Sequence, residues 1–213
     1  MNLLAHALLA CSTLEDSTLE DSTGLECTGA LMADYFTGQN LLAYPPGIQT
    51  GIRQHRDIDA FTDHHRVFRE YRQAIATAGA PRFTSGILAD IFWDHVLASE
   101  WDSWGKPLCG QDLEPFCAGV YARLGKTRAY HSPGFARAYP WIVGMSWLSS
   151  YARRDGIQRT LMGLAGRMSG GGVLNGCVRI MDELDGPMRR GFSVFWPELV
   201  GFAKGWDLTT LRA

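Results

Sequence analysis

The chain has 213 residues, of which 46% are hydrophobic and 20% are charged, and its formal net charge is −2. A chain of this length and composition buries a full core by itself, so we expect one folded domain over 1–213 and exclude a disordered protein. No apolar stretch reaches the roughly 20 residues that a membrane span needs, so we expect no membrane-spanning helix.

The charge is unevenly distributed along the chain. The stretch from Ser12 to Thr28 carries five acidic residues and no Lys or Arg, whereas Arg residues cluster elsewhere. The remainder of the chain is therefore mildly basic, which suits an acidic partner, although scattered surface Arg is more often only a solvated face. Five cysteines without a CxxC pair predict reduced thiols and a cytoplasmic protein, and a Cys11–Cys27 disulfide is the less favoured alternative.

Gly and Pro residues divide the chain into helical stretches, and no alternating apolar run indicates a strand. The acidic stretch at about 12–28 contains a tandem Ser-Thr-Leu-Glu-Asp repeat and is typical of an exposed inserted loop. We therefore predict an all-α, single-domain bundle with helices at about 2–11, 29–37, 45–78, 83–104, 112–124, 133–151 and 156–167. A last helix or pair of helices runs from the Gly170–Gly172 break to about 204.

Ionisable residues interrupt an apolar stripe on the predicted helix 45–78. Ile48, Ile52, His55, Asp59 and Thr62 follow one another at steps of four, three, four and three residues, which places them on one helix face. Burying a charge on such a face is costly unless it is paired or binds a metal. A His and an Asp four residues apart can both reach one point beside the helix.

The predicted helix 83–104 repeats this pattern. Asp90, Asp94, Leu97 and Trp101 share a face, and His95 directly follows Asp94. Nitrogen and carboxylate ligands together suit manganese, iron, zinc or magnesium. The two patterns predict a metal site built from His55, Asp59, Asp94 and His95. The alternative for each His is a hydrogen-bonded core residue without a metal.

Weaker candidates lie near these residues. Asp34, on the short helix between Gly29 and Gly38, could add a carboxylate, and Arg56 could neutralise a phosphate or pair with a nearby Asp. His6 interrupts an apolar helix, so it could support the metal ligands from behind or be a buried His bonded to the backbone. His64 and His65 fall on the outer half of their helix.

Several segments together resemble the acyl carrier protein phosphodiesterase family. In chain order they are Met1-Asn2-Leu3-Leu4-Ala5-His6, then Leu31-Met32-Ala33-Asp34-Tyr35-Phe36-Thr37-Gly38, then His55-Arg56-Asp57-Ile58-Asp59 with Phe61-Thr62-Asp63, and Asp90-Ile91-Phe92-Trp93-Asp94-His95. Order and spacing fit best from 29 to 104, and the C-terminal half resembles the family more loosely. The acidic stretch 12–28 is longer than the short link expected there.

The resemblance implies a divergent member of the HD phosphohydrolase group, helical and metal-dependent, with manganese preferred and magnesium or iron(II) as alternatives. Such an enzyme hydrolyses the phosphodiester that joins 4′-phosphopantetheine to a Ser of holo-acyl carrier protein. We expect Arg56 to stabilise the added negative charge and Asp34 or Asp90 to orient the water or act as acid or base.

Two other functions remain open on the sequence alone. One is an HD-type phosphohydrolase that acts on a nucleotide or another small phosphoester. The other is a helical binding protein with buried His–Asp pairs and no catalysis. A nucleic-acid partner is not expected.

Overall fold

The computed structural model describes residues 1–14, 24–165, 174 and 176–207, and over these residues the chain is all-α, as predicted. None of the described helices is both long and apolar enough to cross a membrane. The α-helices are α1 Leu3–Thr13, α2 Leu25–Met32, α3 Pro46–His64, α4 Arg66–Thr77, α5 Ser85–Ser99, α6 Trp101–Trp104, α7 Lys106–Cys109, α8 Leu113–Lys126, α9 Pro133–Gly144, α10 Trp147–Ser150, α11 Arg154–Ala165, α12 Val178–Glu183 and α13 Asp185–Lys204.

Helix α1 lies inside the bundle. Every residue from Leu3 to Ala10 is buried, and the helix contacts α2, α5, α7 and α13. A helix that is apolar all round is expected to be buried in this way. His6 is the one ionisable residue of α1 and is 1% exposed, so it needs a polar partner inside the core.

Helices α2 and α3 pack backbone to backbone. A Cβ atom on Gly29 would lie 2.3 Å from the Ile48 carbonyl oxygen, and one on Gly51 would lie 2.0 Å from the Glu26 carbonyl oxygen. Only glycine permits this approach. The close contact fixes the short 3-10 helix Ala33–Tyr35, which follows α2, beside α3.

The single predicted helix 45–78 is two helices in the structure. His65 adopts an extended conformation, with ψ of 130°, and separates α3 from α4. The apolar period continues across the break because Ile58, Phe68 and Ile75 are all buried. A turn of the chain at one residue keeps both segments on the core, which is why the sequence pattern alone did not reveal the break.

Other predicted boundaries shift in the same way. The predicted helix 83–104 divides into α5 and α6, and the predicted helix 133–151 divides into α9 and α10 at Ser146, whose φ is 47°. The acidic loop predicted at 12–28 is shorter than expected, since α1 extends to Thr13 and α2 begins at Leu25; residues 15–23 of it lie outside the described residues. No disulfide joins any of the five cysteines, all of which are described, and this confirms the predicted reduced thiols.

Candidate metal centre

Two imidazoles and a carboxylate meet where α1 packs against α3. His6, His55 and Asp59 each offer a ligand atom, and these atoms all lie within 4.8 Å of one another. Asp59 joins the two rings, since its Oδ1 is 3.1 Å from His6 Nε2 and its Oδ2 is 3.1 Å from His55 Nε2. The i, i+4 spacing on α3 brings His55 and Asp59 together, as the sequence predicted.

Asp34 approaches the same cluster from the 3-10 helix. Its Oδ1 lies 3.2 Å from His55 Nε2. The rings of His6 and His55 are stacked, with centroids 3.7 Å apart, and both are buried. The side chains of Asp59 and Asp34 are 39% and 60% exposed. The cluster therefore has a buried imidazole floor and a carboxylate rim that a solute can reach.

The ionisable groups of the cluster shift one another's pKa values. Burial, together with the positive charge of His55, lowers the pKa of His6 to about 4. Burial also opposes protonation of His55, but hydrogen bonds to Asp34 and Asp59 outweigh it and raise the pKa of His55 to about 9. Partial desolvation acts to raise the pKa values of Asp59 and Asp34, but the neighbouring imidazoles outweigh it and lower both below the ordinary value. The cluster thus stabilises a positive charge between two carboxylates.

The donor atoms of this cluster fit a divalent transition metal. Two imidazole nitrogens and one carboxylate, with a second carboxylate at the rim, form a mixed nitrogen and oxygen set that suits manganese, iron or zinc. The ligand-bearing elements are held independently of any ion, because α1 is buried from Leu3 to Ala10 and α3 packs closely on α2. The residues present therefore fit the metal that the sequence led us to expect.

Asp94 and His95, the other two predicted ligands, are not in this cluster. Asp94 accepts hydrogen bonds from the backbone N–H groups of Leu4, at 2.8 Å, and Asn2, at 3.3 Å, and so caps the first turn of α1. His95 lies with Nδ1 2.7 Å from the carbonyl oxygen of Tyr151 and donates to it. An acid on a core-facing stripe can be satisfied by a helix N-terminus as well as by a metal, and spacing does not distinguish the two.

Asp90 borders the cluster without joining it, and Arg56 is an exposed residue that follows His55 on α3. The Met1 amino group is 2.9 Å from Asp90 Oδ1 and 3.5 Å from Asp59 Oδ1. Burial raises the pKa of Asp90 to about 6 although the Met1 amino group opposes this. Arg56 is exposed beside His55 and forms no ion pair with the described residues. Of the candidate catalytic residues, Asp34 is thus in the cluster and Asp90 adjacent to it.

His6 is a candidate metal ligand that the sequence pattern did not predict. We expected it to support the ligands from behind or to bond to the backbone, and instead its Nε2 points at Asp59. The available signal was its isolation, since seven of the eight consecutive buried residues of α1 are apolar and only His6 is not. A lone ionisable side chain in such a helix requires a partner on another element.

Comparison with known proteins identifies the family. The family model described as acyl carrier protein phosphodiesterase matches residues 1–199. The chain belongs to the acyl carrier protein phosphodiesterase family. A protein of Salmonella dublin named acyl carrier protein phosphodiesterase is 30% identical over 167 residues, covering 78% of this chain and 79% of the relative. Another of that name from Salmonella agona is 29% identical over the same lengths. No solved structure matches the chain.

Proposed function

We propose that this member of the acyl carrier protein phosphodiesterase family hydrolyses the phosphodiester between 4′-phosphopantetheine and a Ser of holo-acyl carrier protein. Water adds to phosphorus, the bond from phosphorus to the Ser oxygen breaks, and a proton passes to that oxygen. The products are apo-carrier protein and free 4′-phosphopantetheine. The observation that carries the proposal is the His6–His55–Asp59 cluster, which is competent to bind a metal, in a chain of this family.

The metal ligands in this proposal are His6, His55 and Asp59, with Asp34 as the fourth. Manganese is the first candidate, and magnesium and iron(II) are the alternatives. When bound, such a cation supplies Lewis acidity at the phosphodiester. This set replaces Asp94, whose two carboxylate oxygens accept from backbone N–H groups of α1, and His95, which lies outside the cluster.

Proton transfer is assigned to Asp90 beside the cluster, and orientation of the water to Asp34 at its rim. Asp90, with its pKa raised to about 6, can hold a proton near neutral pH and release it to the departing Ser oxygen. Asp34, ionised and largely exposed, is suited to orient the attacking water. Arg56, exposed beside His55, is free to approach the phosphate and offset its charge.

The compartment and the charge of the partner protein are part of the same proposal. Five free thiols are typical of a reducing compartment, so we place the reaction in the cytoplasm. Outside the acidic stretch the chain is mildly basic, which favours an acidic carrier protein.

A mass measurement tests the proposed reaction. Purified protein is incubated with holo-acyl carrier protein and manganese, and the carrier is weighed before and after. We expect the carrier to lose the phosphopantetheine mass and His55→Ala to lower the rate by at least about 100-fold, since even outer-shell changes at metal sites cost 10–100-fold.

His64→Ala is the matched control for this variant. His64 lies on the same helix but is exposed, and its Nδ1 bonds to the carbonyl oxygen of Ala60 in its own helix. We expect this variant to keep the wild-type rate. An unchanged carrier mass with bound manganese would contradict the substrate assignment. Hydrolysis of a nucleotide instead would favour the small-phosphoester alternative. If the protein neither binds metal nor hydrolyses a phosphoester, the binding-protein alternative is favoured.

A further inference from the structure

A cavity of about 610 Å³ lies between α9 and α11 and is also lined by Tyr35 of the 3-10 helix. Tyr35, Trp141, Met145 and Trp147 contribute to an apolar wall. Its volume is in the range of sites that enclose a small ligand. None of the residues to which we assign proton transfer or metal binding lines it, so the cavity has no role in the mechanism above.

The cavity and the metal centre share one structural element. Asp34 reaches His55, and the next residue, Tyr35, lines the cavity. The 3-10 helix is fixed to α9, because Ser132 donates a hydrogen bond to the Tyr35 carbonyl oxygen at 3.2 Å and Gly134 packs against the same atom. A ligand whose phosphate lies at Asp34 therefore has the cavity as its neighbouring space.

The lining combines apolar surface with groups that form hydrogen bonds. Trp141 is 67% exposed and Met145 is 53% exposed, an apolar surface of a kind that marks binding sites. Trp147 donates its Nε1–H to Thr160 Oγ1 at 2.8 Å, which orients the indole along the wall. Arg137 lines the same cavity and has no ion-pair partner in the described part of the chain. Such a lining suits an extended chain of methyl, methylene and amide groups.

Two glycines of α11 line the cavity, and they differ in the space around them. A Cβ on Gly156 would lie 1.9 Å from the Ser150 carbonyl oxygen, so this position brings α11 close to α10. Gly163 also lines the cavity, but a Cβ there would meet no atom within 4 Å. A side chain at position 163 would consequently enter the open space without displacing the fold.

We propose that this cavity binds the pantetheine arm of the substrate while its phosphate lies at the metal centre. The inference rests on the proposed function, which requires an amide-containing arm to extend from the phosphate. The arm has apolar methyl and methylene groups and two amides, which match the apolar wall and the polar groups among it. The cavity would then distinguish pantetheine-bearing phosphodiesters from those without an arm.

The test fills the cavity with Gly163→Leu. We expect kcat/KM for holo-acyl carrier protein to fall at least about tenfold, because a filled pocket excludes its ligand. Hydrolysis of bis(p-nitrophenyl) phosphate, a phosphodiester without an arm, should remain unchanged. Calorimetry with free pantetheine, which cannot be hydrolysed, should show binding to the wild type and at least about tenfold weaker binding to the variant.

Gly201→Leu is the matched control, because Gly201 is an exposed helical glycine whose Cβ would also meet no atom within 4 Å. It should leave all three measurements within about twofold of wild type. Equal losses with holo-carrier protein and with the armless diester, or no pantetheine binding by the wild type, would overturn the cavity assignment. If the wild type binds pantetheine at this cavity but does not cleave the carrier protein, the proposed function fails and the cavity assignment stands.

Discussion

The His6–His55–Asp59 cluster and the Asp94–His95 pair both place ionisable side chains inside the helical bundle, but their partners differ. In the cluster the Nε2 atom of each imidazole meets a carboxylate, and the Asp59 side chain is 39% exposed. In the pair the partners are backbone atoms: the Asp94 carboxylate accepts from N–H groups of α1, and His95 Nδ1 donates to a carbonyl oxygen. Asp94 itself is fully buried.

Because of this difference, the cluster can exchange its positive charge for a metal ion, whereas the pair keeps its backbone partners. Backbone partners are fixed by the fold, and replacing them with a ligand would leave buried N–H groups without an acceptor. Side-chain partners that hold a proton between two carboxylates can exchange that positive charge for a metal ion without exposing the helix ends. The comparison predicts that variants of the two groups change different properties.

The largest expected difference between variants of the cluster and variants of the pair is in metal affinity. We expect His6→Ala to weaken manganese binding by at least about 100-fold, because it removes a nitrogen donor that no neighbouring side chain replaces. His95→Ala should leave manganese binding within about threefold, since His95 lies outside the cluster and its Nδ1 donates to the Tyr151 carbonyl oxygen. Calorimetric titration of both variants with manganese measures this.

The opposite ranking would overturn the comparison. If His95→Ala lost as much manganese affinity as His6→Ala, the result would favour the ligand set predicted from the sequence, which is His55, Asp59, Asp94 and His95. Circular dichroism of each variant before titration separates lost ligands from lost folding.

The sequence could predict one half of this site and not the other. His55 and Asp59 are on one helix, where a step of four residues determines that they are neighbours. His6 comes to Asp59 from a chain segment 53 residues away, and only the packing of α1 on α3 makes that contact. Asp94 had the same kind of pattern as Asp59, but the structure places a helix N-terminus opposite it.

Stability should show the next largest effect, this time at the pair. Asp94→Ala removes the acceptor for two backbone N–H groups of α1, so we expect the free energy of unfolding to fall by about 1–3 kcal/mol. Urea denaturation measures the change. Asp102→Ala is the control, because Asp102 is 88% exposed and pairs with Lys106 only across the surface at 3.7 Å. That variant should lie within about 0.5 kcal/mol of wild type, and an equal loss in both would show that the cap at Asp94 contributes nothing.

The smallest expected effect is the pH dependence that Asp94 gives to the free energy of unfolding. Burial raises the pKa of Asp94 from an ordinary value of 3.8 to about 7, although the Met1 amino group and the backbone bonds oppose this. Between these two pH values the folded protein binds more protons at Asp94 than the unfolded chain does. Its contribution to stability is therefore complete below about pH 4 and is lost as the pH rises through about 7.

Asp94→Asn isolates this contribution, because an amide does not titrate. The amide keeps one of the two acceptor oxygens that the α1 N–H groups use, and the loss of the other lowers stability without a pH dependence of its own. We expect the free energy of unfolding to fall more steeply between pH 5 and pH 7 in the wild type than in the variant, with a chelator present so that metal binding does not contribute. Asp90 and the histidines are present in both proteins, so the difference between the two slopes reports Asp94. Parallel slopes would mean that Asp94 is ionised throughout this range, and the buried cap would then be a fully charged carboxylate on the helix N-terminus.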